Sequence, residues 1–262
     1  MKRTFRIALL CAVLIFACLF TACKPVALEK ESGGFRNPKT DILYSPAEPN
    51  YRAKPVGGDA YARIKVRKGI DDMLLYEIDG LDPERYLVSD SYTIYCAEGA
   101  ELPNLFDLPC THVGIYDTQV ASNDGNITVA AEIAALKDLH KYGVFTSLNN
   151  VAAYLEIERM NADWYDLRFM GSGEYSGIYY QLKYVVCPQD VIITEWVEDP
   201  DDFTDFYPGV PFETEWRTYD GVDYFMADYN FGKEILVDDT MGRCYKLDSS
   251  LLPYITPQQE AN

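Results

Sequence analysis

Cys110 and His112 stand two residues apart in a stretch that reads as the start of a strand, so their side chains can share one face and form a thiolate and imidazole pair. Nothing near them in sequence spells an orienting group or an oxyanion hole, and a packed cysteine beside an ordinary histidine is the plainer reading. Glu195, Glu198, Asp199, Asp201, Asp202 and Asp205 crowd one loop around Pro200. Hard oxygen ligands at that density can hold Ca²⁺, but the spacing is not that of an EF-hand, and a solvated acidic loop explains it. No G-x-S-x-G, S-x-x-K, H-E-x-x-H, P-loop, G-x-G-x-x-G or C-x-x-C motif occurs, and His112 and His140 are the only histidines. Triad and zinc chemistries therefore have few candidate bases or ligands, while carboxylate-only hydrolysis stays open. No catalytic residue, cofactor or metal is assigned.

Aromatic residues offer a different chemistry. Between Trp164 and Phe231 lie 18 of the chain's 36 aromatic residues, including all three tryptophans. Rings on a sheet can stack on sugars or anchor a protein partner. Strand parity assigns Tyr165, Phe169, Tyr180 and Tyr184 to a core face. It leaves Trp164 and Tyr179 among Asp166, Arg168, Gln181 and Lys183, as the candidate exposed binding residues.

The chain's beginning carries an address. Lys2, Arg3 and Arg6 precede an uncharged apolar run from Ile7 to Phe20, too short for a membrane span and fitting a secretory signal. Phe20-Thr21-Ala22-Cys23 follows, and this resembles the lipobox of bacterial lipoproteins, with Phe20 where that motif usually has Leu. The resemblance covers only the first 25 or so residues. It implies cleavage before Cys23, lipidation of that cysteine, and a place on the extracytoplasmic face of the cell membrane. The mature chain would keep 20 cations against 41 acids, a net charge of −21, which opposes nucleic acid as a partner.

Outside the signal and Cys23, the cysteines are an even set: Cys96, Cys110, Cys187 and Cys244. Export permits disulfides, and if they form the favoured pairing is Cys96 with Cys110 and Cys187 with Cys244. Unbridged thiols are the plainer reading, because each also fits as a small buried hydrophobe.

These residues need elements to position them. Residues 1–22 read as the signal. Residues 23–60 read as the lipidated Cys23 and a tether, in which Pro25, Pro38, Pro46, Pro49 and Pro55 alternate with glycine pairs, and which reaches roughly 30 to 35 Å as a coil. Residues 61–255 read as a single domain and 256–262 as a polar tail. In the domain, period-two alternation predicts strands at 61–67, 73–79, 91–96, 112–117, 164–170, 176–187, 191–197, 213–219, 222–230, 234–237 and 243–247, with Asp220-Gly221 as a hairpin turn. One amphipathic helix is predicted over 128–142, from Thr128 as N-cap to Gly143 as stop. The expected class is α+β, mostly antiparallel sheet with one main packed helix and short accessory helices.

The carboxy-terminal half, through Gly177-Ile178-Tyr179-Tyr180 and Thr240-Met241-Gly242-Arg243-Cys244-Tyr245, resembles small uncharacterised exported domains of Gram-positive bacteria, and this brings no activity with it. The reading that results is a membrane-anchored extracytoplasmic lipoprotein, a binding or interaction module rather than an enzyme. It would hold the membrane through lipid on Cys23 and meet a protein or cell-envelope saccharide. The alternative is a surface hydrolase using carboxylates or Cys110 and His112.

Overall fold

The computed structural model describes residues 25–65, 72–120, 122–148, 162–197, 211, 213–247 and 251–255. The chain forms two compact units that interleave along the sequence. The first takes the described residues up to Pro46 with 55–78 and 82–100; the second takes 47–54, 79–81 and the residues from Glu101 onward. In chain order the opening strands are β1 (Val26–Glu31), β2 (Gly34–Arg36), β3 (Leu43–Pro46), β4 (Tyr51–Ala53), β5 (Ala62–Ile64), β6 (Met73–Tyr76), β7 (Tyr86–Ser89) and β8 (Ile94–Ala97). All but β4 belong to the first unit.

Those seven strands close into a barrel in the order β1-β2-β3-β8-β7-β6-β5. The seam is parallel, with Val26 opposite Ala62 and Leu28 opposite Ile64; the other pairings are antiparallel. Closure gives every strand two bonded neighbours, so runs of three or four residues suffice where an open sheet would fray. Leu28, Tyr44, Ile64, Leu75, Leu87 and Ile94 are buried in this unit. The Tyr44 hydroxyl keeps a donor's role there, reaching the carbonyls of Glu84 and Pro83 at 3.3 and 3.4 Å. At Gly34 a Cβ would sit 2.1 Å from the Tyr44 carbonyl oxygen, so β2 can lie this close to β3 only with glycine.

The segment 23–60 is thus no tether in its described part: β1 to β4 run through it. Its prolines and glycines punctuate short strands, as at Gly33, which turns β1 into β2 with φ +84°. The single domain expected over 61–255 is likewise divided, because the barrel recruits 62–97 while the second unit takes 47–54 from the supposed tether. The signal and the polar tail lie outside the described residues.

The second unit adds β9 (Cys110–Asp117), β10 (Asn123–Ile127), α1 (Ala130–Tyr142), β11 (Phe145–Ser147), β12 (Asp163–Gly171), β13 (Ile178–Val186), β14 (Ile192–Val197), β15 (Glu213–Tyr219), β16 (Val222–Asn230), β17 (Glu234–Asp238) and β18 (Arg243–Lys246). Its large sheet runs β10-β9-β12-β13-β17-β18-β11, and β4 pairs with the first residues of β13. Along β13, Ile178, Tyr180, Leu182 and Tyr184 are buried on one face beside their opposite numbers Phe169, Leu167 and Leu236. The helix α1 serves this face with buried Ile133 and Leu136. It starts one residue later than predicted cap geometry requires: Val129 is the N-cap, and no side chain caps it.

A second sheet, β14-β16-β15, covers one end of the opposite face. Val185, Ile235, Val237 and Cys244 of the large sheet share a buried cluster with Ile193, Ala227 and Tyr229 of the small one. Each large apolar side chain so buried contributes roughly 1.5 to 3 kcal/mol. Strands hold 51% of the described residues and helices 10%, so the α+β expectation is wrong and the described structure is mostly β. The strand alternation was legible, but the weight given to one helix was not deserved: among the described residues α1 is the only helix longer than a single turn.

Candidate functional site

Trp164 and Tyr179 are not the exposed pair that parity suggested; both are half-buried. Trp164 stands opposite Val185 and packs against the cluster between the two sheets, with the Lys183 ammonium 5.8 Å from its ring centroid. Parity placed it on the polar face correctly, but that face is apolar where the small sheet covers it. Tyr179 lies opposite Met170 and Arg52, and the Arg168 guanidinium sits over its ring at 5.3 Å and over Tyr116 at 4.2 Å.

Cys110 and His112 are not joined into a nucleophile and base. The Cys110 thiol faces the Leu108 carbonyl at 3.4 Å, and burial raises its pKa against the opposing effect of Lys137. The His112 ring meets Thr111 Oγ1 at 2.9 Å through Nδ1. A cleft of about 430 Å³ opens beside Cys110, lined among others by Phe106, Ile133, Ala134 and Lys137. Lys137 donates to the Leu108 carbonyl at its edge.

Cys96, Cys110, Cys187 and Cys244 all stand as thiols rather than bridges. Cys244 is opposite Val237 on one side and Thr146 on the other, whereas Cys187 lies past the end of β13, its N–H bonded to the Lys233 carbonyl. Cys96 sits in the barrel opposite Ser45 and Tyr86. Cys23 and the loop from Glu198 to Asp205 lie outside the described residues; Glu195 accepts a hydrogen bond from Thr146 Oγ1 at 2.8 Å. Among the described residues no cluster of three or more His, Cys, Asp or Glu is placed to hold a metal ion.

The aromatic surface is found on the small sheet instead. Tyr219 and Val222 flank Asp220-Gly221, whose φ angles of 50° and 79° make the two-residue turn that a right-twisted hairpin needs. From that turn the register runs without a break to Glu213 opposite Asp228, and β14 pairs along the other edge of β16. Residues directly opposite share a face, so Trp196, Tyr219, Tyr224, Met226 and Arg217 line one side. Trp196 is 51% exposed and Tyr219 53%. The Tyr224 ring lies between them, 6.0 Å from Trp196 and 6.2 Å from Tyr219 by centroid. Interleaved with these rings are Thr194, Glu215 and Arg217, the last bonded to Glu215 and, at 2.9 Å, to Asp228.

This face escaped sequence reasoning because β15, Glu-Thr-Glu-Trp-Arg-Thr-Tyr, has no apolar side at all. That same lack was the available signal. A strand whose residues are polar at both parities has no core to face, and its aromatics are exposed by default.

A polar cluster was missed as well. Asp238, with no exposure, accepts from Asn50 Nδ2 at 2.6 Å and from the backbone N–H groups of Thr240 and Met241 at 3.0 Å, and its other oxygen meets His140 Nε2 at 2.7 Å and the Tyr180 hydroxyl at 3.3 Å. Burial alone would raise the Asp238 pKa, but the bonds from His140, Met241 and Asn50 outweigh it and hold the carboxyl below its ordinary value. Thr240 Oγ1 donates to Asn50 Oδ1 at 2.7 Å and orients the amide. Every donor in the cluster is matched, which is the arrangement of a structural clasp. No protein family, curated protein or solved structure matches the chain.

Proposed function

We propose that this protein is an extracytoplasmic lipoprotein, anchored through Cys23, that binds an uncharged cell-envelope saccharide on the face lined by Trp196, Tyr224 and Tyr219. The observation that carries the reading is that row of rings, half-exposed at both ends and interleaved with hydrogen-bonding side chains. A sugar ring offers a C–H face to an aromatic ring and hydroxyls at its rim, so it needs rings and polar groups alternating over one surface. Thr194, Glu215 and Arg217 supply the polar groups. Net charge selects among glycans: a mature chain at −21 repels an acidic polymer at long range and leaves a neutral one unaffected.

The hydrolase reading is the weaker one, since burial raises the Cys110 thiol and the His112 ring is engaged with Thr111. The test is titration of the exported chain with soluble, uncharged N-acetylhexosamine and hexose oligosaccharides, followed by tryptophan fluorescence. Saturable quenching that weakens at least tenfold in Trp196→Ala supports the reading. No saturable change with any neutral oligosaccharide, or quenching that survives Trp196→Ala and Tyr219→Ala alike, rejects it.

A further inference from the structure

We infer that two copies of this chain associate through β15, running antiparallel and related by a two-fold axis at Trp216. In the small sheet β15 is one of the two outer strands, and no described strand pairs with its second edge. The two-residue turn makes Tyr219 and Val222 a hydrogen-bonded pair, and alternation from there directs the backbone groups of Arg217, Glu215 and Glu213 into β16. The N–H and C=O groups of Thr214, Trp216 and Thr218 therefore point away from the sheet. Such an edge is a template for another strand, and β15 carries neither Pro nor Lys to blunt it. Trp216 is 63% exposed, its ring 5.2 Å from Phe225 on the face opposite Trp196.

What selects a second copy as the occupant is the strand's complementarity to its own reverse. With Trp216 opposite the partner's Trp216, Glu215 falls opposite the partner's Arg217, and Arg217 opposite the partner's Glu215. Thr214 and Thr218 pair likewise. All three kinds of pair stabilise antiparallel sheets when directly opposed. The outward backbone groups are those of Trp216 and the two threonines, so the same register also forms the hydrogen-bonded pairs. Centring the axis on Glu215 or on Arg217 would keep the same backbone groups at the seam but oppose two like charges on the axis. In each copy Arg217 uses Nε for Glu215 and Nη2 for Asp228, and Nη1 carries two further N–H groups for a carboxylate across the seam. Two-fold pairing is isologous and closes at two chains, which prevents the edge from propagating.

The association is independent of the saccharide reading, and mass reads it directly. Sedimentation velocity is run on the full exported chain over roughly 1 μM to 1 mM, the range of a small interface, in density-matched detergent where lipid is attached. The wild type is expected to pass from monomer to dimer. Glu215→Arg and Arg217→Glu alone should each weaken dimerisation more than tenfold, because every cross-strand pair then opposes like charges. Mixed in equal amounts the two variants should recover the dimer, since one chain then presents two guanidinium groups and the other two carboxylates. Folding defects cannot produce that recovery. A wild type that stays monomeric over the whole range, single variants that dimerise as well as wild type, or folded single variants that do not recover on mixing would each overturn the inference.

Discussion

His140 Nε2 lies 2.7 Å from Asp238 Oδ2, which fastens α1 to the end of β17 through a carboxylate with no exposure. The ring also stacks near Tyr245 and Tyr180, at 5.4 and 5.9 Å by centroid, so helix position and sheet geometry are fixed together. Asp238→Asn would place an amide N–H₂ among groups that all donate, at an expected cost of about 2 kcal/mol or more, read from the denaturant midpoint. The pH dependence has a definite sign. A carboxyl held below its ordinary value in the folded state contributes stability above about pH 3.9, and that contribution is lost as pH falls through the lower native value. Wild type should lose stability there more steeply than Asp238→Asn; parallel acid limbs would show that Asp238 is not a source.

The two tryptophans of opposite setting should separate cleanly. Trp196→Ala should leave stability within about 0.5 kcal/mol while weakening ligand binding by more than about 1 kcal/mol. Trp164→Ala, which empties a position against the cluster between the sheets, should cost about 2 kcal/mol or more. Equal thermal melts for the two variants would contradict this assignment.

The thiols give a chemical check on the core. Burial pushes Cys244 up to about 12 and Cys96 up to about 11, so neither is a thiolate in mildly alkaline buffer. Alkylation of the native chain should be slow at both positions, and the denatured, unreduced mature chain should yield all four thiols of Cys96, Cys110, Cys187 and Cys244. A yield of two or none would show bridging.

Anchoring is tested at Cys23. Labelled palmitate should enter the wild-type chain expressed in a bacterium and not Cys23→Ala, and equal labelling would reject the lipoprotein assignment. Because β1 begins at Val26, the lipid would hold the barrel close to the bilayer with almost no intervening chain.

Strand positions were the most legible part of the fold. Alternation in Ile178, Tyr180, Leu182 and Tyr184 located the core face of β13, and Asp220-Gly221 located the hairpin of β15 and β16, since both signals are local. What failed was nonlocal. Gly34–Arg36 and Leu43–Pro46 are too short to show a period, and they are strands only because the barrel supplies neighbours on both sides. Trp164 sits on the predicted side of its strand, but nothing within β12 reveals that a second sheet covers that side. Asn50 and Asp238 carry no mark of their mutual contact, being 188 residues apart.

The interleaving of the two units bears on the order in which the chain can fold. Synthesis delivers β4 and Asn50 early, yet Tyr180, to which Asn50 is bonded, follows 130 residues later. The last barrel strand ends at Ala97, so every barrel strand is synthesised before the partners of residues 47–54, and Tyr51, which ends up buried, has to wait for them. Contacts of such long sequence separation close slowly. No single cut divides the chain into one fragment for each unit, so a truncation meant to isolate either would carry away or strand part of the other.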